Sequence, residues 1–157
     1  MKLPDVNLLL YAVNSSDPLH RQSKKWLEKS LSESETFAFD WTVLLAFLRI
    51  STRLGIFSRP LKVQQAFDVI DEWLAQPSSV VIQPTPRHSA VLRDLLLPLS
   101  TAGNLTSDAH LAALAIEHGA TLYSADNDFT RFSELQWVNP LARSGLQTPG
   151  DEQRNSR

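Results

Sequence analysis

The chain has 157 residues, 43% apolar and 20% charged, which suits one globular domain with its own core and leaves little for a second. Fifteen Lys and Arg against seventeen Asp and Glu give a formal net charge of -2, so no broad basic surface offers indiscriminate nucleic-acid binding, and such a role needs a local site. The lack of cysteine excludes a disulfide framework, thiolate metal sites and a cysteine nucleophile, and fits a reducing compartment such as the cytoplasm.

Strand-like and helical segments alternate along the chain. Residues 2–6 predict a short strand and 8–13 the helix it feeds; that apolar run is far short of the roughly 20 residues of a bilayer span, and no other window approaches one, so the chain is expected to be soluble. After the Asp17-Pro18 turn, residues 19–31 carry Trp26, Leu27 and Leu31 at helical spacing among Lys and Glu, a half-exposed helix. Residues 36–39 predict a strand ending at Asp40. Val43, Leu44, Phe47, Leu48 and Ile50 make 42–52 a helix apolar on most sides, expected to be largely buried. Gly55 and Pro60 interrupt the chain before an amphipathic helix over 62–75 with Val63, Ala66, Phe67, Ile70, Trp73 and Leu74 on one face. A β-branched strand over 79–82 and a helix over 87–97 follow. The next helix begins near Thr106 and ends at His118-Gly119, where glycine supplies a C-terminal cap. Residues 120–123 predict a strand, 129–132 a helical turn and 136–138 a last strand. The alternation argues for an α/β fold with a parallel sheet covered on both faces, a three-layer α/β/α arrangement over residues 1–141. The polar tail, 142–157, is expected to be disordered.

The acids are the chemically informative residues. Asp5 follows the first strand, and Asp126 and Asp128 follow the 120–123 strand in the run Ser124-Ala125-Asp126-Asn127-Asp128-Phe129. In a parallel sheet the carboxyl ends of the strands share one edge, where ligands bind, so residues more than a hundred apart converge. Asp108 sits in the first turn of the helix from Thr106, on the side of Leu111, Ala112 and Ala115 that should face the sheet. Each acid also has a plain structural reading: Asp5 as a helix N-cap, Asp108 as a first-turn acid complementing the helix dipole, Asp126 and Asp128 as loop residues. Their common edge favours a shared site. Clustered carboxylates repel unless a cation sits among them, and an oxygen-only set points to Mg²⁺ or Mn²⁺ rather than zinc. Such an ion keeps open positions suited to phosphate-ester chemistry.

The segments Leu3-Pro4-Asp5-Val6-Asn7, Thr106-Ser107-Asp108-Ala109-His110-Leu111-Ala112-Ala113 and Ser124 to Phe129 resemble the successive acidic motifs of PIN domains, and Trp41 to Thr52, with Phe47-Leu48-Arg49, is similar to one branch of VapC-type toxins. The resemblance implies a metal-dependent endoribonuclease acting on structured RNA of the tRNA or rRNA class. It also implies a homodimer held inactive by a cognate VapB-type antitoxin. Asp5, Asp108 and Asp126 match the family's metal-binding catalytic acids, and Asp128 a further metal-site acid. The family's glutamate on the helix after the second strand has no counterpart, since Trp41 to Thr52 contains no acid; Ala46 is the position read as vacant, with Asp40 a possible substitute. That gap motivates the alternative of a degenerate PIN domain binding antitoxin or RNA without cleavage. Arg49 and Arg53, four apart on one expected helix, are candidates for RNA phosphate contacts or a plain solvated stripe. The four His residues share no ligand spacing and are expected to have no catalytic role. An aspartate phosphotransfer domain ranks lower, because 120–132 lacks the lysine such sites need after a late strand.

Overall fold

A computed structural model describes residues 1–100 and 102–142; the tail expected to be disordered lies, from residue 143 on, outside the described residues. In chain order the elements are β1 (Lys2–Pro4), α1 (Val6–Val13), α2 (His20–Ser32), β2 (Phe37–Phe39), α3 (Trp41–Ser51), α4 (Val63–Leu74), β3 (Ser79–Val81), α5 (His88–Leu96), α6 (Thr106–His118), β4 (Thr121–Tyr123) and β5 (Trp137–Val138). The five strands form one parallel sheet in the order β3-β2-β1-β4-β5. Helices α1 to α4 pack in one connected group and α5 against α6 in another, giving the layered α/β architecture that alternating strands and helices require. Among the described residues no helix is long and apolar enough to cross a membrane.

The central strands are buried on both faces, as strands of a covered parallel sheet must be: Leu3, Phe37, Ala38, Phe39 and Leu122 have no exposed surface. From Phe37 an aromatic column runs through Phe39 to Trp73, whose ring lies parallel to that of Phe39 at 6.1 Å and meets Phe47 edge-on at 4.9 Å. Each such ring contributes about 1.5–3 kcal/mol by leaving water, so the column fastens α3 and α4 to the middle of the sheet.

Four expectations are corrected here. β1 ends at Pro4 rather than residue 6, because the Asp5 carboxylate accepts the Val6 N–H at 2.6 Å and starts α1 there. α3 is buried on one side only: Val43, Leu44 and Phe47 are in the core, while Trp41 and Leu45 are 45% and 57% exposed. Its last helical residue is Ser51, so Arg53 lies in the following turn and does not share a helix with Arg49. On α4, Ala66, Ile70 and Trp73 are buried as the periodicity predicts, but Val63 and Phe67 remain exposed.

Candidate active site

β1 is flanked by β2 on one side and β4 on the other, so the connections leaving it diverge and a crevice opens at the carboxyl edge between β1 and β4. Asp5 and Asp126 stand at its two lips. The Asp5 N–H donates to Tyr123 O at 2.8 Å, which carries the β1–β4 pairing one residue past the strand and ties the acid to β4. One Asp5 oxygen caps α1 through Val6 N–H; the other accepts from the Asn7 amide at 2.8 Å and from the Ser124 hydroxyl at 2.7 Å. Ser124, fully buried, accepts in turn from Asn7 at 2.9 Å and from the Asp126 N–H at 3.0 Å. Asn7 Oδ1 accepts from Ala125 N–H at 3.3 Å. Asn7 and Ser124 thus fix the Asp5 carboxylate and link it to the backbone of Asp126, a role not assigned to them from the sequence although both lie within the acidic motifs.

Asp126 caps a short 3-10 turn (Asn127–Arg131), accepting from Asp128 N–H at 2.8 Å, and Asp128 is half-exposed and pairs with Arg131 at 3.3 Å. Asp108 reaches the crevice from the first turn of α6. It lines a cleft of about 420 Å³ together with Asp5, Thr42, Ala46, Arg49 and Leu111. The position read as vacant, Ala46, and the candidate phosphate ligand, Arg49, therefore face the same space as two of the acids. Arg53 and Asp40 do not line it. Asp40 is buried as the N-cap of α3, with one oxygen taking the N–H and hydroxyl of Thr42 and standing 3.5 Å from His110 Nε2.

The electrostatics follow from these positions. Burial raises the Asp5 carboxyl, the Ser124 and Val6 hydrogen bonds pull it back down, and the Asp126 charge adds to the rise. Asp108 is pushed up to about 6, first by burial and then by the charges of Asp5, Asp126 and Asp128. Burial acts upward on Asp40 as well, but His110 and Thr42 hold it below the usual carboxylate range. Among the described residues none of Asp5, Asp108 and Asp126 forms an ion pair with Lys or Arg. The set is thus an uncompensated acidic cluster, and its oxygen-only donors suit a hard divalent cation. Among the described residues no three Asp, Glu or His side chains are grouped closely enough to hold an ion by themselves.

Comparison with known proteins finds relatives that span most of the chain. The family model described as PIN domain matches residues 2–135. The chain is 46% identical over 142 residues to Ribonuclease VapC37 of Mycobacterium tuberculosis, covering 90% of this chain and 99% of that protein. It is 39% identical over 141 residues to Ribonuclease VapC33 of the same species, covering 90% and 99%. Among solved structures, VapBC2 from Rickettsia felis bound to a promoter DNA fragment is similar in fold, with a TM-score of 0.65 at 21% identity, covering 88% of this chain and 97% of that one. VapBC-1 from nontypeable Haemophilus influenzae is similar at a TM-score of 0.64 and 15% identity, covering 90% and 98%.

Proposed function

The chain belongs to the VapC ribonucleases of the PIN domain family, and from that premise we propose that it is the endoribonuclease toxin of a toxin-antitoxin pair, cutting RNA phosphodiesters at the β1–β4 crevice. The observation that carries the reading is the gathering of Asp5, Asp108 and Asp126 at one sheet edge without a cationic partner, with Arg49 in the adjoining cleft. Near-full-length identity to ribonucleases favours catalysis over a binding-only domain.

Asp5, Asp108 and Asp126 would hold Mg²⁺ or Mn²⁺, with Asp128 at the rim; once bound, the ion supplies Lewis acidity toward the scissile phosphate and lowers the pKa of a water. The protein's own part is placement. Asn7 and Ser124 hold the Asp5 carboxylate and Ser124 ties it to the backbone N–H of Asp126, and Arg49 offers a fixed positive charge to a phosphate entering the cleft. Asp40, engaged as a helix cap, serves structure at this site rather than ligation. Arg53, beyond the end of α3, is left a peripheral phosphate contact at most.

Residues 1–141 act as one domain in this reading. The substrate is structured RNA of the tRNA or rRNA class, which places the protein in the cytoplasm. A VapB-type antitoxin is the cognate partner, and the apolar residues exposed at Trp41, Leu45, Leu54 and Ile56 serve a homodimer contact. Antitoxin-free protein incubated with tRNA and rRNA should cleave in Mg²⁺ or Mn²⁺ and stop in excess chelator. Cleavage that persists in chelator, or none with any of these RNAs, would remove the metal-nuclease reading.

A further inference from the structure

Beyond the acids and Arg49, the wall of the cleft is mostly hydrocarbon, and no step above uses that part. α3 supplies Thr42, Ala46, Arg49 and Ile50 from one face, a stripe that runs about 12 Å at the helical rise per residue. α6 brings Ser107 and, one turn further on, Leu111, and Val6 and Val43 add to the lining. α3 packs on α1 and α4, whereas α6 packs on α5 and β4, so the two helices border the gap without closing it. Ala46 keeps it open from the α3 side, because its side chain ends at a methyl in the middle of the stripe.

Size and chemistry narrow the occupant. A cleft of about 420 Å³ stands at the small end of the roughly 300–1,000 Å³ of small-molecule sites, enough for one nucleoside and its phosphate. Aliphatic side chains suit the faces of a flat ring, while the ring's edge needs hydrogen bonds. Thr42 has its hydroxyl taken up by Asp40, so beside the acids and Arg49 the cleft's remaining polar side chain is Ser107, whose hydroxyl both donates and accepts. A bare sugar phosphate would gain nothing from Ile50 and Leu111. A purely apolar ligand would be set against Asp5, Asp108 and Arg49. A base held in a duplex presents no free face, so one that enters must be unpaired.

We infer that the cleft is a base subsite: Ala46, Ile50 and Leu111 receive the faces of one unpaired nucleobase, Ser107 reads its edge, and the attached phosphate meets Arg49. These residues then set which nucleotide is accepted beside the scissile phosphate. The subsite rests on the proposed ribonuclease reading, which is what brings a nucleotide to the acids.

Methyl NMR of the antitoxin-free chain in Mg²⁺, titrated with the four ribonucleoside 5′-monophosphates and with ribose 5-phosphate, tests the subsite without requiring cleavage. At least one nucleotide should displace the Ala46, Ile50 and Leu111 methyl resonances and bind about tenfold more tightly than ribose 5-phosphate, which is what burying roughly 60 Å² of ring surface yields. Ala46→Leu, which fills the cleft without adding charge, should erase that difference and leave ribose 5-phosphate binding unchanged; a folded variant that keeps the difference would overturn the subsite. Ser107→Ala should weaken the nucleotide several-fold and spare ribose 5-phosphate, and an unchanged nucleotide affinity would overturn the reading of the edge. A wild type that binds nucleotides no better than ribose 5-phosphate, or binds them with these methyls unmoved, would overturn the subsite whether or not any variant folds. In RNA, an abasic nucleotide on one side of the scissile phosphate should lower kcat/KM about tenfold, and an undiminished rate with the abasic nucleotide on either side would overturn it as well. A wild type that cleaves no RNA yet shows the methyl displacements would sink the ribonuclease reading and leave the nucleotide-binding cleft standing. One that cleaves RNA while every nucleotide leaves the methyls unmoved would do the reverse.

Discussion

Asp108 illustrates what burial among like charges does to one carboxyl. Its pKa rises from 3.8 to about 6 in the folded chain. The folded state therefore binds the proton more tightly than the unfolded one, so ionisation costs stability above pH 6 and the cost vanishes as pH falls below 3.8. Because the group is only partly buried, screening by solvent reduces the cost to about 1 kcal/mol. Asp108→Asn should accordingly raise metal-free stability by about that amount at pH 7.5, lose the gain by pH 4, and abolish cleavage. Urea unfolding of wild type and variant at the two pH values checks it, and a variant less stable than wild type at pH 7.5 would refute the repulsion. Ala46 offers the converse experiment, since it faces the same cleft as Asp5 and Asp108. Ala46→Glu should tighten Mn²⁺ binding several-fold by calorimetry and lower metal-free stability by about 1 kcal/mol, adding one more like charge. Asp5, Asp108, Asp126 and Asp128 were legible in the sequence because each follows a strand or opens a helix. The cleft shared by Ala46 and Leu111 was not, because residues on different helices share no spacing that a sequence displays.

At the scale of elements, capping chemistry set the boundaries. Asp5 and Asp40 each begin a helix by accepting backbone N–H groups with the side chain, which is why β1 and β2 stop after three residues. Gly119 ends α6 in the left-handed conformation at φ 61°, as the His118-Gly119 pair predicts. A Cβ there would meet nothing within 4 Å, so Gly119→Ala should cost only the backbone strain, about 1 kcal/mol, read as a lower urea midpoint with unchanged slope. A loss of several kcal/mol would mean a steric contact absent from the structure. α3 taught the opposite lesson. Its apolar residues surround the helix, yet only one side packs inward, because hydrophobicity marks surface that must leave water without saying whether core, cleft or a second chain covers it.

For the whole molecule, that uncovered surface predicts association. Leu54 is 84% exposed, and Trp41, Leu45 and Ile56 are about half exposed. Light scattering at tens of micromolar should find a dimer, and Leu54→Asp should shift it to monomer while changing the monomer's own stability by less than about 0.5 kcal/mol, the usual range for an exposed loop position. A strictly monomeric wild type would count against the contact.

The sequence by itself determined the order and type of the elements, the parallel sheet and the acids at its carboxyl edge, because periodicity, caps and strand ends are local properties of the chain. The tertiary structure alone decided that β1 lies between β2 and β4, which makes the β1–β4 edge the crevice and draws Asp126 to Asp5 through Ser124. It alone turned Asp40 toward His110 and left it off the cleft that Ala46 lines. The physical reason is that pairing order and side-chain direction depend on which surfaces bury best against one another. Contacts made across more than a hundred residues carry that information, and no single window of sequence contains it.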